Sequence, residues 1–173
     1  MKQTDRISAI EVAITNEERE REFYLNNARR TQNPLGREMF QQIADDELEH
    51  MERLKQLRDT WTRDDRWPET VPLTVSERSL QEVLSTVVDK AAGAGSDSDD
   101  LEAVRTAIKF EDEASKYYSG LRDMVSDPKE RAFFDLMSRI EREHYLSLKE
   151  TEEFFTDPEG WHQKRERHSL DGG

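Results

Sequence analysis

Two short motifs in this chain could do chemistry. Glu47-Leu48-Glu49-His50 and Glu141-Arg142-Glu143-His144 each place a Glu three residues before a His. On a helix, positions i and i+3 share a face, so each motif points one carboxylate and one imidazole the same way. Thirty residues before each of these stands another Glu, Glu17 before Glu47 and Glu111 before Glu141. The set is four carboxylates and two imidazoles. Two divalent ions would offset the four negative charges. Without metal, four like charges facing one another in a core would raise some of their own pKa values. An oxygen-rich donor set with two imidazoles suits two ions of Fe or Mn, with Zn as a substitute in vitro. Glu fills 23 of the 173 positions, so a single Glu-x-x-His carries little weight here. The weight lies in the pair, each with its upstream Glu.

The elements that must position these groups follow from an internal repeat. A shift of 94 residues, without a gap, lays Glu17 on Glu111, Tyr24 on Tyr118, Pro34 on Pro128, Phe40 on Phe134, Glu47 on Glu141 and His50 on His144. The turn prolines align together with the motifs, so one helical hairpin is used twice. Apolar residues recur at helical spacing from about Thr4 to Arg30, Arg37 to Thr62, Leu101 to Val125 and Lys129 to Phe155. Asn33-Pro34-Leu35-Gly36 and Ser126-Asp127-Pro128 make the two tight turns, and Asp157-Pro158-Glu159-Gly160 stops the last helix. Four helices of about 25 residues, each about 38 Å long, make a bundle. The middle connection is long and carries a shorter helix of its own, from Ser76 to about Ala92. The expected fold is all-α, a ferritin-like four-helix bundle built from two repeated hairpins with a helix-containing crossover. It would occupy residues 1–156, with halves at about 4–62 and 98–156, a crossover at 63–97 and a tail at 157–173. Four Glu and two Glu-x-x-His histidines are also the ligand pattern of ferritin-like dinuclear carboxylate proteins.

Composition narrows the remaining choices. Lys plus Arg is 26 and Asp plus Glu is 39, a formal charge of −13. Charged residues reach 38% against 34% hydrophobic, close to the disordered class, so helical periodicity decides for folding. Such a surface repels phosphate backbones and anionic membranes. Neither nucleic acid nor membrane is an expected partner. No apolar run exceeds three residues, which leaves no core for a membrane span or signal peptide and makes the cytoplasm the expected location. Cysteine is absent, which removes disulfides, thiolate nucleophiles and cysteine-held iron.

From Ile10 to Phe155 the chain resembles the rubrerythrin-like branch of the ferritin-like superfamily. The residues that carry the resemblance are Glu17 followed by Phe23-Tyr24, Glu47-x-x-His50, Glu111 followed by Tyr117-Tyr118, and Glu141-x-x-His144. The resemblance implies a non-haem di-iron centre that reacts with hydrogen peroxide or O₂. In such proteins the centre serves as a peroxidase in oxidative-stress defence or as a ferroxidase. It further implies that Glu47 and Glu141 bridge the two ions, that Glu17, Glu111, His50 and His144 bind terminally, and that the protein is a homodimer. Tyr24 and Tyr118 would hydrogen-bond ligand carboxylates; plain core packing is the alternative. Two departures matter. Rubrerythrin proper holds a further iron on four cysteines, and this chain has none, so turnover requires an external electron donor such as a rubredoxin-type protein. Rubrerythrins also carry an extra carboxylate one turn after the single Glu of the third helix, where this chain has Ala114. The repeat-equivalent position on the first helix is Glu20, expected either as an additional or switching ligand or as an exposed member of the acidic run Glu17 to Glu22.

Other residues read more plainly. Glu49 and Glu143 lie about 100° around the helix from the adjacent His and belong at the surface or behind the ligands. His162 and His168 have no carboxylate at ligand spacing. Trp161 is expected to dock the tail on the bundle or on a neighbouring subunit, and Trp61 and Trp67 to do the same beside the crossover. The expected function is that of a di-iron oxidoreductase; the alternative is iron handling, by oxidation followed by sequestration or delivery.

Overall fold

The computed structural model describes residues 3–64, 98–161 and 163, and every element among them is helical. Four long helices make up the frame: α1 (Gln3–Arg30), α2 (Pro34–Asp64), α3 (Ser98–Met124) and α4 (Pro128–Thr156). The helix expected at 76–92, Trp67, His162 and His168 lie outside the described residues. The fold is the expected all-α ferritin-like bundle.

Turn chemistry sets the helix starts. Asp127 caps α4, its carboxylate accepting from the backbone N–H groups of Lys129 and Glu130, with Pro128 in the first turn. Asn33 does the same for α2, its Oδ1 accepting from Leu35 N at 2.9 Å and Gly36 N at 3.1 Å, with Pro34 in the first turn. Both second helices therefore begin at proline. This is why α2 starts three residues before the expected Arg37: Pro34 and Gly36 look like breakers in sequence, but the Asn33 cap turns them into the first turn. Helix α3 also starts early, at Ser98, because Asp99 and Asp100 favour the positive end of its dipole. Asp100 is buried and tied to the end of α1 by Arg30 Nη2 and Thr31 Oγ1, each at 2.8 Å.

Within each hairpin the helices pack along their length, α1 with α2 and α3 with α4. The hairpins then meet within a single chain, α1 beside α3 and α2 beside α4. Two apolar layers fill the interior. One gathers Ile10, Ile14, Leu54, Leu57, Trp61, Leu121, Phe133, Phe134 and Met137 around Tyr118. The other gathers Met39, Phe40, Ile43, Val104 and Leu148 around Tyr24. Leu146, part of the apolar pattern of the fourth helix, instead faces outward. Trp161 docks on its own chain, edge-on to Phe154 at 5.3 Å and packed with Leu35. No described helix is long and apolar enough to cross a membrane.

Candidate metal centre

Each of the four helices contributes to one buried polar cluster in the bundle core. Glu17 comes from α1, Glu47 and His50 from α2, Glu111 from α3, and Glu141 and His144 from α4. All six are at most 3% exposed. A polar cluster so deep in an apolar bundle costs stability unless its groups pair with one another or with a cation.

The six fall into two overlapping sets. Glu17, Glu47, His50 and Glu141 each offer a donor atom within 4.8 Å of the others, and so do Glu47, Glu111, Glu141 and His144. Glu47 and Glu141 are common to both. His50 Nδ1 lies 3.1 Å from Glu17 Oε2, 3.1 Å from Glu47 Oε2 and 3.3 Å from Glu141 Oε1. His144 Nδ1 lies 3.4 Å from Glu47 Oε1 and 3.5 Å from both Glu111 Oε2 and Glu141 Oε2. The two imidazoles stack at 5.9 Å between ring centres. This is a near two-fold arrangement, as a repeated hairpin demands.

Several inward-facing atoms have no hydrogen-bond partner. They are Glu47 Oε1, Glu111 Oε2, both Glu141 oxygens and His144 Nδ1. Buried donors and acceptors are almost always satisfied, so five such atoms converging on one point fit a pair of cations. The donor set, oxygens plus two imidazole nitrogens, fits iron or manganese.

The tyrosines cross between hairpins. Tyr24 donates to Glu111 Oε1, and Tyr118 donates to Glu17 Oε1. Burial, with the charge on Glu111 and on Glu17 respectively, pushes both phenols well above their usual range, so each keeps the proton it donates. The expected bond from tyrosine to a carboxylate of the set is therefore present, and each tyrosine holds the carboxylate of the other hairpin.

Metal-free, the cluster stores protons in place of cations. Burial, with Glu47 and Glu141 close by, pushes Glu17 well above the usual carboxylate range. Burial pushes Glu111 up to about 8 despite the pull of His144. Burial also opposes ionisation of Glu47 and Glu141, yet the two imidazoles hold both below the usual range. Burial disfavours charge on His50 and His144 as well, but the surrounding carboxylates raise both well above an ordinary His.

Two residues extend the cluster. Glu20 belongs to neither donor set, but it is half-buried and its Oε2 has no hydrogen-bond partner. Burial together with Glu47, Glu111, Glu17 and Glu141 pushes it up to about 11, which places it in the field of the cluster. Sequence reasoning missed Asp46. Its Oδ2 lies 3.2 Å from His144 Nε2. The available signal was an Asp directly before the motif Glu47, but the repeat counterpart is Ile140, so the pattern does not recur. Glu49 is half-exposed beside Arg53 and Glu143 is exposed; both lie outside the donor sets.

The sequence model of one family, described as Rubrerythrin, matches residues 8–152. No curated protein and no solved structure gives a match.

Proposed function

The chain belongs to the rubrerythrin family, and from that premise we propose that it is a di-iron oxidoreductase that reduces hydrogen peroxide in oxidative-stress defence. The observation that carries the reading is the pair of four-donor sets sharing Glu47 and Glu141. One ion would be held by Glu17 and His50, the other by Glu111 and His144, with Glu47 and Glu141 spanning both. When bound as two ferrous ions, the centre supplies the two electrons that cleavage of one O–O bond consumes.

The chain's own groups do the rest. Asp46 accepts the Nε2 proton of His144, so Nδ1 is the nitrogen turned to the cluster, and it would offer its lone pair to a metal once its own proton leaves. Tyr24 and Tyr118 hold Glu111 and Glu17 in place from the opposite hairpin. The apolar layers above and below exclude bulk water, which strengthens every charge interaction between them. Glu20 stands beside the donor sets as a reserve carboxylate, able to join or leave as the charge of the centre changes. In this chain it takes the place of the carboxylate missing at Ala114. The electrons are restored by an external donor such as a rubredoxin-type protein, and the working unit is a homodimer in the cytoplasm. The bundle at 1–156 is the functional domain.

Iron handling is the second reading. The charge of −13 favours it, because an acidic surface concentrates Fe(II). One experiment separates the two. The anaerobic apoprotein is loaded with two Fe(II) per chain and mixed with hydrogen peroxide or with O₂ in a stopped-flow spectrometer. Fast oxidation by peroxide with slow oxidation by O₂ is expected; the reverse order identifies a ferroxidase, and slow oxidation by both defeats both readings. Changing Glu47 and Glu141 together to Ala should abolish stoichiometric two-metal binding, and retained binding would refute the donor assignment.

A further inference from the structure

A cavity of about 480 Å³, partly open to solvent, lies between α1 and α3. Phe23, Phe110, Ala114 and Tyr117 make one part of its lining, and Asn16, Arg19, Glu20 and Glu113 make the polar part. Phe23 meets Phe110 edge-on at 5.2 Å, which closes the wall across the two helices.

The wall is one ring away from the donor sets. Phe23 packs edge-on against Tyr24, at 5.5 Å, and Tyr24 donates to Glu111. Tyr117 packs against Tyr118, at 5.8 Å, and Tyr118 donates to Glu17. Glu20 lines the cavity one helical turn after Glu17, on the same face of α1, and its buried Oε2 has no hydrogen-bond partner. The position opposite it on α3 is Ala114, whose single methyl leaves room that a longer side chain would fill.

Size argues against hydrogen peroxide as the only occupant. A water takes about 30 Å³ in the liquid, and hydrogen peroxide needs only about a third more. A space of this volume, with three aromatic rings on one part of its lining and four polar side chains on the other, is instead the size of a pocket for a small organic molecule.

We propose that this cavity seats the organic group of an organic hydroperoxide, with the peroxide end directed past Glu20 to the metal cluster. The inference rests on the peroxide-reducing reading above. The chemistry balances without a further reactant in a single turnover. The O–O bond breaks, one oxygen leaves as the alcohol and the other as water, two protons come from solvent, and the two electrons come from two Fe(II) that become Fe(III). An aromatic hydroperoxide such as cumene hydroperoxide suits the wall, because aromatic rings favour edge-on and offset contacts with one another.

Two measurements test it. The first needs no turnover: the product alcohol, 2-phenyl-2-propanol, is titrated into the Zn-loaded protein and followed by saturation-transfer NMR. Saturable binding is expected in the wild type, with at least tenfold weakening in Ala114→Phe, which fills the cavity, and in Phe110→Ala, which removes the wall. Circular dichroism shows whether each variant folds, and two variants guard against the failure of one. The second compares single-turnover oxidation of the Fe(II)-loaded protein by cumene hydroperoxide and by hydrogen peroxide. The ratio of the two rate constants should fall at least tenfold in Ala114→Phe. Absence of saturable alcohol binding to the wild type, or an unchanged ratio in a folded Ala114→Phe, overturns the cavity assignment while hydrogen peroxide still reacts fast. Slow reaction of the wild type with hydrogen peroxide overturns the peroxide-reducing reading, and this inference with it.

Discussion

Asp46 makes the two halves of the cluster unequal. His144 has a carboxylate on its far nitrogen, and the repeat position that would serve His50 is Ile140. A carboxylate behind an imidazole raises its basicity as a ligand and fixes its orientation; loss of such a partner commonly costs about 10–100-fold in metal affinity. Asp46→Asn should therefore weaken one of the two metals about tenfold or more and leave the other nearly unchanged. Calorimetric titration with Zn(II) would resolve the two steps, and equal weakening of both would refute the assignment. Tyr24→Phe and Tyr118→Phe should act on opposite ions from those nearest in sequence. Removing the Tyr24 hydroxyl frees Glu111, and removing the Tyr118 hydroxyl frees Glu17. Each change should lower affinity for one ion by about tenfold. In the Tyr24→Phe, Asp46→Asn double variant the losses should fall on the same ion, because Glu111 and His144 share one donor set.

At the scale of the elements, the two turns use the same device with different consequences. Asp127 is partly exposed and Asn33 is buried. Loss of a helix N-cap costs about 1 kcal/mol, and leaving buried backbone donors unpaired adds about 1–3 kcal/mol. Asp127→Ala should thus destabilise the protein by about 1 kcal/mol and Asn33→Ala by about 2 kcal/mol or more. Urea denaturation of the two variants under one set of conditions would check the order. Both turns were legible in the sequence, because Pro in the first turn and a capping residue before it form a local signal. The exact helix starts were less so. Proline and glycine in Asn33-Pro34-Leu35-Gly36 mark either a break or a capped first turn, and only the hydrogen bonds of Asn33 decide which.

At the scale of the whole molecule, protons and metal compete for one buried cluster. Glu17, Glu20 and Glu111 are raised on folding, so the folded metal-free chain holds protons that the unfolded chain releases near pH 4.5. For a raised group the stabilisation is complete below the unfolded pKa and is lost as pH rises through the folded one. Glu111 sets a window from 4.5 to about 8. His50 and His144, also raised, lose their contribution in the same direction above pH 6.5. The melting temperature of the apoprotein should fall as pH rises through this window. Loading with metal displaces those protons, so metal affinity should rise with pH and the loaded protein should stay flat or gain. Scanning calorimetry of the apo and Zn-loaded forms from about pH 5 to pH 9 would test this; parallel curves would refute the competition.

Much of this protein was already present in the order of its residues. The all-α fold, the repeated hairpin and the six-residue donor set all follow from periodic signals, because a helix turns spacing into direction and a repeat turns one motif into two. What tertiary structure decided was everything that crosses between hairpins. It set α1 beside α3 and α2 beside α4, placed Glu47 and Glu141 in both donor sets, sent Tyr24 to Glu111 and Tyr118 to Glu17, and brought Asp46 behind His144. It also opened a cavity beside Glu20 where Ala114 is small. The physical reason is that spacing along one helix reports which residues share a face. It carries no information on which partner helix that face meets, and a contact 98 residues away, such as Asp46 with His144, exists only after the bundle has closed.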